Sequence, residues 1–136
     1  MKIINLSENN SILNRFIAEI RDQKIQKDSM RFRRNLERIG EIFAYEISKT
    51  LEYTTTDVTT PLGIAQCNLP ENEIVVSTIL RAGLPLHAGI LNYFDRAQNA
   101  FVAAYRKYGK DNKFTTICKS SRSIYINTTC IYTTLE

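Results

Sequence analysis

The chain has 136 residues, 43% hydrophobic and 24% charged, with a formal net charge of +4 and a pI near 9.0. That length supports one domain with a modest core, and no apolar run approaches the roughly 18–20 residues needed to cross a bilayer. Cys67, Cys118 and Cys130 form no CxxC pair and stand away from the lone His87, so the spacing argues against a zinc site and fits reduced thiols.

The opening MKIINLSENN has only a short apolar burst and no small-residue cleavage site. It is not read as a signal peptide, and the expected compartment is the cytoplasm. The mild positive charge suits phosphate-bearing small molecules and leaves RNA open. Residues 10–23 place Ile12, Leu13, Phe16, Ile17 and Ile20 on one helical stripe, with Asn10 or Ser11 as the cap. Residues 29–50 give the strongest helical pattern, through Phe32, Leu36, Ile39, Phe43 and Ile47, with Asp28 or Ser29 as the cap. Arg31, Arg33, Arg34, Arg38 and Lys49 crowd the other faces of this helix. Such a face either touches nucleic acid or is solvated, with Glu37 and Glu41 as partners.

Residues 51–69 change to Thr, Tyr and Val, and TPLG within them is a turn. The expectation is two antiparallel strands forming a protruding arm, then a short loop at 70–73. IVVSTIL, residues 74–80, reads as a central parallel strand covered on both faces. LPLHAGILNYFDRA follows as a helix with Leu84, Ala88 and Leu91 on one line and Pro85 in its first turn. AFVAAY, residues 100–105, is a second buried strand, so residues 74–105 form a right-handed βαβ unit.

In such sheets a ligand binds beyond the carboxyl ends of the strands. Arg81 follows the first strand and Arg106 the second, and the helix after Arg81 aims its N-terminus at the same edge. Ala82 and Gly83 leave room for a ligand to approach the backbone. Two guanidinium forks, a helix start and a small-residue loop describe an anion site. By residues alone the alternative is a pair of surface arginines.

These segments resemble a known family. ILRAGL at 79–84 resembles the pyrophosphate loop of uracil phosphoribosyltransferases, and AAYRK at 103–107 resembles the segment ending in a substrate-binding arginine. RFRRNLERIGEIFAYEISKTL at 31–51 is similar to the family's long second helix, and VTTPLG at 58–63 to the turn of its β-arm. The likeness covers residues 1–113. It implies an α/β, phosphoribosyltransferase-like fold: a Rossmann-like parallel sheet with N-terminal helices and a β-arm. It implies the reaction of uracil with phosphoribosyl pyrophosphate to give uridine monophosphate and pyrophosphate, in pyrimidine salvage. It also implies Mg2+ carried with the phosphoribosyl pyrophosphate, and a homodimer. Arg81, Ala82, Gly83 and Arg106 would hold the pyrophosphate end of that substrate. No catalytic residue and no metal ligand are assigned.

Two departures follow. Thr78 stands where the family has a proline, read as a minor change in loop stiffness. Residues 114–136 contain no Asp and no Gly, so nothing there replaces the family's ribose-phosphate loop or its Gly-rich uracil segment. The division expected is therefore a partial phosphoribosyltransferase domain at 1–113 and a divergent tail at 114–136. The chain reads as C-terminally truncated with an incomplete active site, and Leu135–Glu136 as a cloning scar. IYINTTCIY in the tail could form a strand. The competing readings are a non-catalytic module binding RNA or a phosphate ligand, and a non-functional remnant whose open sheet edge is covered by a second copy.

Overall fold

The computed structural model describes residues 4–71, 73–108, 114–120 and 129–133, with side chains described through residue 104. Helix α1 spans Leu13–Arg21 and α2 spans Ser29–Ser48. An arm follows, β1 at Tyr53–Thr60 and β2 at Gly63–Pro70, and then β3 at Ile74–Leu80, α3 at Leu84–Leu91 and β4 at Gln98–Tyr108. The sheet is completed by β5 at Phe114–Ser120 and β6 at Thr129–Thr133.

Each start has a local cause. The Asp28 carboxylate accepts the amides of Met30 and Arg31 at 3.1 and 3.0 Å, so Asp28 rather than Ser29 caps α2. Ser11 Oγ accepts the Leu13 amide at 3.3 Å at the head of α1. Ile12 precedes that helix and is 58% exposed, so the expected stripe begins at Leu13. In the arm, β1 and β2 pair antiparallel from Tyr53↔Pro70 to Thr60↔Gly63. Gly63 sits at a φ of 130°, which a side chain would disfavour. Thr60 Oγ1 closes the turn, donating to the Gly63 carbonyl at 2.7 Å.

The expected parallel pairing holds. β3 and β4 run parallel from Val75↔Gln98 to Leu80↔Ala103, with α3 as the crossover. Val76, Ser77 and Thr78 are buried, but Ile79 is 37% exposed, so β3 is covered less evenly than its apolar run predicts. The tail is where expectation and structure part. β5 pairs antiparallel with β4, and β6 pairs parallel with β3, giving the order β5-β4-β3-β6. The edges left open in the remnant reading are thus paired among the described residues. All but one residue of β6 fall inside the segment expected to be able to extend, 124–132; β5 had no expected element.

The α3 stripe also differs. Leu84 and Ala88 face outward, and the buried residues are Leu86, His87, Gly89 and Ile90. The reason is how closely α3 crosses α2. A Cβ on Gly89 would overlap the Glu37 carbonyl, and one on Gly40 would overlap the Leu86 carbonyl. Two facing glycines let the backbones touch, and that contact, not the apolar line, sets the buried side. The helix ends at Leu91 rather than 97, since Asn92 to Ala97 leave the helical path.

Two clusters form the core. Ala44, Ile74, Val76 and Ile90 join α2, β3 and α3, with Ile47 and Phe94 packed around them. Leu13, Ile39 and Leu86 join α1, α2 and α3, with Phe16, Ile17, Ile20 and Phe43 around them. The substitution Gly89→Ala should destabilise the fold by about 1–3 kcal/mol, because backbone cannot yield as a rotamer can. Chemical denaturation would read this as a lower midpoint with an unchanged slope.

Candidate functional site

The loop after β3 is the point of interest. The Leu80–Arg81 peptide bond is cis. The Gly83 amide bonds the Ile79 carbonyl at 3.2 Å, and the Leu84 amide bonds the Arg81 carbonyl at 3.2 Å. The helix start was expected to aim unpaired amides at the ligand edge; the turn itself uses these two. Arg81 and Ala82 are exposed and Gly83 is buried, so the loop presents only Arg81 and Ala82 to its surroundings. Gly83 has a different task. A Cβ there would overlap Thr78 Oγ1 and come within 3.1 Å of the Ile79 carbonyl. Thr78 is 1% exposed, so its place in the strand end is a packing contact with the loop.

Arg106 does not follow its strand. β4 continues to Tyr108, and Arg106 pairs with Thr116 of β5 inside it. The cause is the added strand, which draws the backbone on past residue 105. Along the sheet Arg106 is beyond Ala103, the partner of Leu80. Its side chain lies outside the described residues.

Arg81 and Ala82 line a groove of about 650 Å3 between the loop, the end of α1 and the start of α2. Arg21 and Arg33 line it too, with Phe32 and Pro85 among its apolar walls. Sequence reading placed Arg33 among the helix's basic residues and passed over Arg21. Nothing in the spacing brings residues 21, 33 and 81 together; the α1–α2–α3 packing does.

The other basic residues of α2 are engaged. Arg31 lies 3.6 Å from Glu19 and 3.9 Å from Asp28, and Arg34 lies 2.7 Å from Glu37 and 3.8 Å from Glu41. Lys49 pairs with Glu46 at 2.7 Å, and Arg38 bonds Asn35 Oδ1 at 3.1 Å while lying over the Phe16 ring. The solvated-face expectation for α2 therefore holds, and a continuous basic stripe for RNA does not form. Arg34's charged form is favoured chiefly by its hydrogen bond to Glu37.

Glu19 organises the junction of α1 and α2. It accepts the Asn35 amide at 2.7 Å and the Arg15 guanidinium at 3.2 Å. The Asn35 bond, then the Arg15 bond, hold its carboxyl below the usual glutamate value, helped by the charges of Arg31 and Arg15.

Away from the groove, His87 is buried, its Nε2 2.6 Å from Asn99 Oδ1 and its ring tilted against Phe101. Among the described residues, no group of three or more His, Cys, Asp or Glu is placed to hold a metal, and no helix is long and apolar enough to cross a membrane.

With this geometry in view, comparison with known proteins is decisive. The family model for uracil phosphoribosyltransferase matches residues 7–132, and so continues past residue 113. The chain belongs to the uracil phosphoribosyltransferase family. A uracil phosphoribosyltransferase of Porphyromonas gingivalis is 58% identical over 108 residues, 79% of this chain and 50% of that protein. One from Sulfolobus acidocaldarius is 39% identical over 100 residues, 71% of this chain and 45% of its own. The chain thus spans about half the length of the curated relatives it matches. Among solved structures, the AQ2163 protein of Aquifex aeolicus superposes with a TM-score of 0.67 at 24% identity, covering 82% of this chain and 52% of that one. That likeness carries the fold. It agrees with the α/β architecture that the family resemblance implies.

A depressed carboxylate stabilises the fold above its unfolded value and loses that effect as pH falls through its folded value. Wild type should therefore lose stability on acidification through and below the ordinary glutamate range. Glu19→Gln should show a smaller loss there, as urea midpoints measured against pH would register.

Proposed function

We propose that this chain carries the pyrophosphate end of a uracil phosphoribosyltransferase site. The reaction joins uracil to phosphoribosyl pyrophosphate: the ribose C1–O bond to pyrophosphate breaks, a C1–N bond to uracil forms, and uridine monophosphate and pyrophosphate leave. The observation that carries the reading is the exposed Arg81–Ala82 loop, which leaves the carboxyl end of β3 in the parallel pair with β4 and lines a groove against α1 and α2. Charge that gathers on departing pyrophosphate calls for fixed donors at that point, and a guanidinium fork supplies them. Arg106 belongs to the same reading by its place beyond the β3 end on the neighbouring strand.

The described lining of the groove contains no carboxylate. It offers Mg2+ no protein ligand, so a magnesium ion would be held by the phosphates of the substrate that brings it, and no step here passes through it. The cytoplasm belongs to this reading as its compartment. A homodimer belongs to it as well, supported by the arm, where Leu62 is 101% and Ile64 73% exposed. Light scattering at micromolar concentration should return twice the monomer mass; a monomer would sink that part.

The ribose-phosphate and uracil ends have no candidate groups in residues 114–136, which lack Asp and Gly. Catalysis needs both reactants held in line, so binding can outlast turnover. Calorimetry should find weak pyrophosphate binding that Arg81→Ala diminishes, and a radiolabelled uracil assay should find little uridine monophosphate. Equal affinities would remove Arg81 from the site, and robust turnover would mean that the tail or a partner chain supplies the missing groups.

A further inference from the structure

The arginines at the α1–α2 junction divide into two sets. Arg15, Arg31 and Arg34 each face a carboxylate within 4 Å, from Glu19, Asp28, Glu37 or Glu41. Arg21, Arg33 and Arg81 face none among the described residues, and all three line the same groove. They come from three elements: the last turn of α1, the first turns of α2 and the loop after β3. Guanidinium groups stay charged at any pH a cell reaches, so three of them around one groove repel each other until an anion enters. Phe32, Leu36 and Pro85 form apolar parts of the wall, which weakens solvent screening on that side.

We infer that Arg33 and Arg21 grip the same diphosphate as Arg81, so that the leaving group is held from α1 and α2 as well as from the strand-end loop. This rests on the pyrophosphate reading above and extends it to two residues that the loop motif does not contain. A diphosphate presents oxygens on two phosphorus atoms, more than one fork can satisfy. Donors from several directions fix its orientation, whereas a single arginine at the loop would leave it free to swing. The apolar wall then sits beside the bound anion without competing for it.

The test is calorimetry of the full chain with inorganic pyrophosphate. The set is wild type, Arg81→Ala, Arg33→Gln, Arg21→Gln and Arg34→Gln, with Arg33→Lys to retain charge without the fork. All the altered side chains are exposed, and thermal midpoints check that each variant folds. Arg33→Gln and Arg21→Gln should each weaken binding about tenfold, the scale of a charge-assisted hydrogen bond. Arg33→Lys should recover part of the loss, Arg34→Gln should match wild type, and wild-type affinity should fall with added salt. If Arg81→Ala weakens binding while Arg33→Gln and Arg21→Gln bind like wild type, this inference falls and the loop reading stands. An equal loss in Arg34→Gln would reduce the effect to net charge and overturn it. Failure of wild type to bind pyrophosphate would overturn both.

Discussion

The close crossing of α2 and α3 is the constraint on which the rest depends. Gly40 and Gly89 face each other's backbones, and neither tolerates a Cβ without displacing a main-chain carbonyl. Backbones that touch hold the helices at fixed depth and angle, because interiors packed to crystal-like density do not deform gradually. α3 follows β3 through a short loop, so fixing α3 against α2 also fixes where Arg81 and Ala82 stand relative to the head of α2. The cluster of Ala44, Ile74, Val76 and Ile90 repeats this tie on the sheet side. Thr78 and Gly83 repeat it within the loop.

Charge at the helix junction follows from the same placement. Glu19 reaches Asn35 across the α1–α2 interface and takes up Arg15 and Arg31 beside it. Glu37 and Glu41 take up Arg34 one face around. Exposed pairs of this kind contribute little stability each. Their consequence is distribution: acids occupy one side of the junction, and the groove beside the loop keeps cations alone. The free cations of this basic helix are thereby confined to one groove instead of forming a continuous basic face.

The tail alters the sheet more than its composition announces. A β-branched, Thr-rich segment has strand propensity but no address, and an exposed ladder edge accepts any compatible strand. β5 and β6 take the two sides of the β3–β4 pair, and β5 carries Arg106 into the interior of a longer strand. Whatever chemistry belongs to Arg106 is therefore set by a strand partner more than by a loop.

Much was legible in the residues alone. Apolar spacing gave α1 and α2, and the pair Asp28 and Ser29 marked the start of α2, because a short polar side chain reaches only the next amides; the structure chose Asp28. The turn at Pro61–Gly63 gave the arm, since one residue needs a positive φ. ILRAGL pointed to the family. These are local signals, governed by dihedrals and by neighbours a few positions away. Tertiary structure alone decided which side of α3 is buried, where β5 and β6 pair, and that Arg21 and Arg33 join Arg81. Each of these depends on backbone approach or edge pairing between segments distant in sequence. Periodicity cannot encode such contacts, because it reports which faces are apolar and not which face meets which.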